Sequence, residues 1–388
     1  MVGAYGNTWI RTGQLDDLAS ESFVFDQAFI SSPRLAQLYQ GYWLGSHTEF
    51  AEHADSASLP RLLTDAGMQT VLITDEPEVS ELALSAHFVE RIFVEPSVAE
   101  QPAEDMAETQ LARLFGVAIE WLASSPQPFC LWLHARGMGA PWDAPLELRE
   151  QYADEEDPEP PPFAEVPQRQ LSEGYDPDEL LGITHAYAGQ VSALDTCVGA
   201  LRDELQRSGL AGNTQFTFLS ARGFPLGEHL RVGACDDALY NELLQFPWMM
   251  RFPDGRGKLA RSQALVRPGD LPATLLDWLL MDRKLLGNGN ASSLLELIDN
   301  RVDSMSDRIL ITAGQQRAIR TPAWLLRESA SGLLELYAKP SDRWEVNEVA
   351  NLCPHVVSGL QAAMDEMAQS AQGNQLRSLD DVLTREFD

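Results

Sequence analysis

A chain of 388 residues with 44% hydrophobic and 22% charged residues has the composition of a folded globular protein with room for more than one core. Its net charge of −30 repels phosphate backbones and anionic lipid, which excludes nucleic acid as a partner and argues against a membrane surface. An anionic small molecule can bind only where local cations overcome that field.

In chain order, "SFVFDQAFI" predicts a short strand. "SLPRLLTDAGMQ" places Leu59, Leu62 and Leu63 on one helical face and stops at Gly67, and "TVLITD" follows as a buried strand. "MAETQLARLFGVAIEWLAS" is a long amphipathic helix, and "FCLWLHA" is a strand bounded by Pro128 and Gly137. The segment 151–178 is rich in proline and acid and predicts an extended surface excursion. "ITHAYAGQVSALDTCVGALRDELQRSGL" is a second long helix, followed by the strands "NTQFTFLS" and "FPWMMRFP". Strands that alternate with helices and are apolar nearly throughout predict an α/β fold with a mostly parallel sheet covered on both faces. From about residue 305 the pattern changes to a small antiparallel meander, a closing helix and a peripheral tail. The division predicted is therefore 1–304 and 305–388.

Cys130, Cys197, Cys235 and Cys353 are far apart and form no CxxC pair. They predict neither a disulfide framework nor a zinc site, and Cys130 and Cys197 read as small buried hydrophobes. No apolar stretch reaches membrane-spanning length and no leader is recognisable, so the location expected as written is cytoplasmic. A segment ahead of Met1 would change that expectation to secreted or periplasmic.

"FLSARGFPLGEH", residues 218–229, is a strand that ends on a small polar residue and turns on a glycine. In parallel sheets such a turn delivers residues to a site at the carboxyl edge. "SSPRL", residues 31–35, reads as a helix start, with Ser31 or Ser32 as the N-cap and Pro33 in the first turn. His134 ends an apolar strand, and His229 follows Gly227 and Glu228; each reads first as a hydrogen-bonded structural histidine, His229 in a surface loop.

Five segments, in order, resemble the sulfatases of the alkaline phosphatase superfamily. They are "GAYGNTWIRTGQLDDLASESFVFDQAFISSP", "SLPRLLTDAGMQTVLITD", "HAYAGQVSALDTCVGALRDEL", "PGDLPATLLDWL" and "QRAIRTPAWLLRE" through "LELYAKPSDRWEVNEVANL". The resemblance implies an α/β sandwich with a central mostly parallel sheet, a small carboxyl-terminal antiparallel sheet with a helix, and sulfuric ester hydrolysis as the ancestral activity. It also implies that the family's first strand is missing ahead of Met1, from a place inside the sheet.

In that family a formylglycine nucleophile arises in a C/S-x-P-S-R motif, whose first position falls on Ser31. Here Ser32 and Pro33 match, but Arg34 and Leu35 stand where Ser and Arg are usual. The family's calcium or magnesium takes ligands from an S-D-H/N-G motif, which here reads Ser220, Ala221, Arg222, Gly223. A methyl group cannot ligate a cation and a guanidinium repels one. Two family lysines fall near Asp75 and Ala234 and are absent. The expectation is a sulfatase-type protein with no metal and weak or absent turnover, in which Arg34 and Arg222 bind a sulfate or phosphate group of a small molecule or glycan. Two alternatives stand beside it: a metal-independent hydrolase with Ser31 as nucleophile and His134 or His229 as base, and a purely structural paralogue.

Overall fold

The computed structural model describes residues 1–46, 57–124, 127–286, 292–369 and 377–385. Its strands are β1 (Phe23–Ala28), β2 (Gln69–Thr74), β3 (Glu90–Phe93), β4 (Phe129–His134), β5 (Arg169–Gln170), β6 (Phe216–Leu219), β7 (Arg231–Val232), β8 (Trp248–Arg251) and β9 (Ala260–Val266), followed by β10 (Ile309–Ala313), β11 (Gln316–Arg320), β12 (Trp324–Glu328) and β13 (Leu334–Ala338). One sheet has the order β3-β2-β4 and is parallel throughout. A second has the order β6-β8-β1-β9 and is mixed, because β8 runs antiparallel to both β1 and β6 while β1 and β9 are parallel.

The two sheets share both of their faces. Alternate residues of a strand point to opposite sides. On one side Val71 and Ile73 of β2, Leu131 and Leu133 of β4, and Phe216 and Phe218 of β6 pack against the helices Gln110–Ala123 and Pro177–Arg207. On the other side Leu72, Trp132 and Leu219 meet Phe25, Trp248 and the aromatic face of the helix Leu35–Leu44. The two pieces therefore form one layer between two helical layers, the α/β sandwich that the alternation predicts.

The helix Pro177–Arg207 begins on an Asp176 side chain that accepts from the Asp178 amide, with Pro177 at the first position and Asp178 and Glu179 in the first turn. Polar residues on this helix serve its neighbours. The Asp195 carboxylate accepts from the Leu15 amide at 2.8 Å and the Gln14 amide at 3.2 Å, and so satisfies the start of the helix Gly13–Glu21. Gln190 Oε1 accepts from the Ala144 amide at 3.1 Å.

The strands β10 to β13 form an antiparallel meander in chain order. One of its faces packs on the helix Pro354–Gln369, and Ile309, Ile311 and Leu325 on the other join the main core. The tail is less peripheral than its sequence suggests. Leu383, in the short helix Asp381–Thr384, is buried, and the Trp324 indole donates to the Val382 carbonyl at 3.0 Å.

The acidic excursion is likewise tied down. Trp142 donates its amide to Ala164 O at 2.7 Å, and β5 pairs with β7. The fully buried Arg149 donates to Pro161 O at 2.6 Å, to Phe163 O at 2.9 Å and to Trp142 O. Proline-rich chain has few amide donors, so a buried guanidinium satisfies its carbonyls instead. Arg149→Met keeps the volume and orphans these acceptors, so a loss of about 2 kcal/mol is expected in urea unfolding.

Candidate active site

The loop after β6 stands at the carboxyl end of the layer. Ser220 Oγ donates to Arg222 O at 2.6 Å and closes the turn. Gly223 is required by a close approach, since a Cβ there would lie 1.9 Å from the Glu242 carbonyl oxygen. Ala221 packs its methyl on the aromatic core. Arg222 donates to the Pro33 carbonyl at 3.2 Å, which joins this loop to the "SSPRL" segment 189 positions away in the chain.

His134 ends β4 on the same rim. Its Nδ1 lies 2.5 Å from Tyr39 Oη, and Trp132 Nε1 donates to that same oxygen at 3.3 Å. Burial, and then the positive fields of Arg222 and Arg136, push the His134 pKa down to about 3. Its ring is hydrogen-bonded to Tyr39 and neutral throughout the physiological range. Because its folded pKa lies below the unfolded value near 6.5, the unfolded chain takes up a proton that the folded chain refuses. This group therefore costs stability as pH falls from about 6.5 to about 3. In a proton NMR titration between pH 8 and pH 5 the His134 ring signals are expected to stay fixed; a midpoint near 6.5 would contradict the burial.

The rim also holds residues that no local pattern connects. Asp75, at the end of β2, is buried and accepts from the Arg136 amide at 2.8 Å and from Gln110 Nε2 at 3.2 Å. Burial raises its pKa against those hydrogen bonds. The Arg136 guanidinium pairs with Glu76 at 3.3 Å. The position where the family expects a lysine thus holds a carboxylate with a structural task.

The "SSPRL" segment differs from its predicted form. The helix starts at Leu35, two residues later than expected, with Arg34 as its cap and no side-chain capping bond. Ser32 Oγ instead accepts from the Arg34 amide at 3.3 Å, and the Ser31 carbonyl accepts from the Thr312 amide at 2.9 Å. Pro33 disfavours the helical region for Ser32, which delays the helix. Arg34 does not join Arg222 in one cavity: its side chain is exposed, pairs with Asp237 at 2.9 Å and lies over Gly314. Among the described residues neither histidine makes a hydrogen bond to Ser31 or Ser32; His134 Nδ1 is held by Tyr39 and His229 by other partners.

His229 is not a loose surface residue. Its ring stacks on Tyr240 at 3.7 Å, Nδ1 lies 2.8 Å from Glu242 Oε1, and Nε2 lies 3.2 Å from Glu345 O. Burial lowers its pKa, but the hydrogen bond and charge of Glu242 and the Glu345 carbonyl and carboxylate together outweigh that and hold it above the ordinary value. His229, Glu242 and Glu345 offer ligand atoms within 4.8 Å of one another. However, the Lys339 ammonium sits 2.8 Å from Glu345 Oε1 and already pairs with that carboxylate. The arrangement is a clasp between the loop at 228–245 and the segment 339–345.

The residues at the ends of β4 and β6 do not fit calcium or magnesium. Such hard cations require several carboxylate or carbonyl oxygens, and these residues offer a methyl, a neutral imidazole and guanidinium groups. A cavity of about 1650 Å³ opens here, lined by Arg136, Arg222 and Arg343 and by the carboxylates Glu76, Glu228 and Glu242. Trp142 is buried and donates Nε1 to Met138 O at 3.0 Å, which ties down its loop. The described cysteines are all free; Cys197 is buried, whereas Cys130 is only half-buried because it lines this cavity.

An α/β layer with its site at the carboxyl rim and an appended meander is the architecture of hydrolases of the alkaline phosphatase superfamily, and comparison with solved structures agrees. BT4656, solved in complex with its substrate D-glucosamine-2-N,6-O-disulfate, superposes with a TM-score of 0.78 at 17% identity, covering 97% of this chain and 96% of that one. The phosphonate monoester hydrolase of Agrobacterium radiobacter gives 0.73 at 16%, covering 96% and 93%. BT1596, a 2-O GAG sulfatase, gives 0.70 at 16%, covering 98% and 92%. The Sulfatase family profile matches residues 1–281, and the chain belongs to that family. No curated protein matches its sequence. Among the described residues no helix is long and apolar enough to cross a membrane.

Proposed function

We propose that this member of the sulfatase family binds the sulfate or phosphate group of a small molecule or glycan and hydrolyses the ester weakly or not at all, without a metal ion. The observation that carries this reading is the loop after β6. Ala221 and Arg222 stand where a metal-dependent site needs oxygen ligands, and Arg222 supplies a fixed positive charge beside a neutral His134. A guanidinium matches the oxygen geometry of sulfate and phosphate and gives charge-assisted hydrogen bonds. Hydrolysis, in contrast, needs a nucleophile next to a base, and His134 and His229 are engaged by Tyr39 and by Glu242. The structural likeness to BT4656 and to a 2-O GAG sulfatase supports a sulfated sugar as the ligand class.

The test is calorimetric titration with a sulfated disaccharide and with inorganic sulfate and phosphate, beside assays on an aryl sulfate and an aryl phosphate with and without calcium. Saturable binding with turnover at or near background is expected in all conditions. Robust calcium-dependent hydrolysis, or no anion binding at all, would overturn the reading.

A further inference from the structure

We propose that His229 is a positioning residue operated by a proton: with both ring nitrogens protonated it ties two walls of the cavity together, and loss of one proton loosens them and weakens anion binding. The effect on binding rests on the proposed anion-binding function, whereas the tie itself does not.

The geometry asks for two protons on one ring. Nδ1 lies 2.8 Å from Glu242 Oε1, and Nε2 lies 3.2 Å from the Glu345 carbonyl oxygen. A carboxylate and a carbonyl only accept hydrogen bonds. A neutral imidazole has a single N–H, so it serves one of these oxygens and turns a lone pair to the other. The imidazolium donates to both. The side chains of His229 and Glu242 are only 16% and 10% exposed, so a lost bond is not simply handed to water. Burial opposes the charge, but the two glutamates prevail and hold the pKa above the ordinary 6.5. The tie is therefore complete below about 6.5 and is lost as pH rises through the folded value.

Each oxygen belongs to a different wall. Glu242 lies in the segment on which the loop after β6 rests. The Gly223 amide donates to Leu243 O at 2.9 Å, and Gly223 approaches the Glu242 carbonyl too closely for any side chain. Arg222 is its neighbour in the chain. Glu345 ends the segment 339–345, whose Arg343 and exposed Trp344 line the same cavity. Both ends of the tie are also strained. His229 and Glu345 have φ of 49° and 57° without being glycine, a conformation that persists only where neighbours hold it.

The other charges around the ring have tasks of their own. On its own loop, Glu228 accepts from the Leu226 amide, and Arg231 donates to the His229 carbonyl and pairs with Asp236. Tyr240 stacks on the ring, and behind it Arg327 of β12 lies 3.9 Å from the Tyr240 centroid and pairs with Glu335. On the other wall, Lys339 is held by Glu345 Oε1 and the Asp342 carbonyl, and Arg320 of β11 lies in the field of Glu345. None of these donates to Glu242 Oε1 or to the Glu345 carbonyl in place of the ring.

The test follows the 388-residue chain between pH 6 and pH 9. Heteronuclear NMR tracks the His229 ring, the Gly223 amide and the Trp344 indole, and titration calorimetry measures sulfate binding. Sulfate is the probe because its charge is constant in that range, whereas phosphate titrates. One midpoint shared by the three signals is expected, with sulfate affinity falling by about 10-fold across it, an ordinary strength for coupling between sites. His229→Asn tolerates the left-handed backbone and cannot be charged, so its sulfate affinity is expected to be weak and independent of pH. Glu242→Gln removes a charge that favours the imidazolium and is expected to move the midpoint to lower pH. A ring that does not titrate in this range, or three separate midpoints, overturns the proposal. Sulfate affinity equal at pH 6 and pH 9, or a pH dependence that survives in His229→Asn, overturns it as well. A shared midpoint without sulfate binding at any pH supports the tie and refutes the anion-binding function. If His229→Asn does not fold, the unaltered chain and Glu242→Gln decide by the same midpoints.

Discussion

Lys339→Met is expected to destabilise the chain by about 3–5 kcal/mol in denaturant unfolding. Lys339 and Glu345 are 2% and 3% exposed, and their charged groups are 2.8 Å apart. Burial lowers the lysine pKa and raises that of the glutamate, so each charged form is held in place by the other. Removing the ammonium leaves a buried carboxylate whose remaining partner is the Asn241 amide at 3.0 Å. The loss extends to the clasp, because the Glu345 carbonyl also holds His229 and the Lys339 ammonium donates to Asp342 O at 2.8 Å. The double variant Lys339→Met, Glu345→Gln removes the uncompensated charge and keeps an acceptor for Asn241, so most of the loss is expected to return. A single variant within 1 kcal/mol of the parent would show that the pair does not hold the two segments together.

Arg222→Ala is expected to weaken sulfate or phosphate-group binding by about 10- to 100-fold, the value of one charge-assisted hydrogen bond in a partly shielded site. Arg222→Lys is expected to recover only part of this, since an ammonium keeps the charge without the fork. Arg34→Ala serves as the control. Its guanidinium is exposed and paired with Asp237, so a change of less than about twofold is expected. Titration calorimetry of the three variants checks the ranking. Equal losses at Arg34 and Arg222 would point to a diffuse field instead of a built site.

The sandwich was legible in the sequence because buried strands and long helices carry period and length. β2 reads "QTVLIT" and β6 "FTFL", and neither resembles a surface segment. β3 and β9 were not legible for the opposite reason. "ERIF" is four residues with alternate exposure, and β9 begins in the polar run "ARSQ" and enters the core only at Ala264. At the site, Ala221 and Arg222 could be read from their position after a strand. The company they keep could not. Tyr39 meets His134 across 95 positions, and Asp75 receives the Arg136 amide across 61. Such pairs are produced by strand order, which local patterns do not encode. The excursion at 151–178 is extended and mostly exposed, as its composition predicts. What the composition does not show is its anchor, one buried arginine on another segment that satisfies its carbonyls.

Cys130 gives the molecule a native timer. It stands half-buried on β4, and burial pushes its thiol up to about 12. Alkylating reagents consume the thiolate, which at pH 8 amounts to roughly one part in ten thousand of such a group. Modification at this position is therefore expected to be slow, and to quicken whenever β4 leaves its neighbours and burial no longer holds the thiol in its neutral form. The second-order rate of that reaction, read by peptide mass, reports how often the parallel layer breathes at its inner seam, with no label introduced.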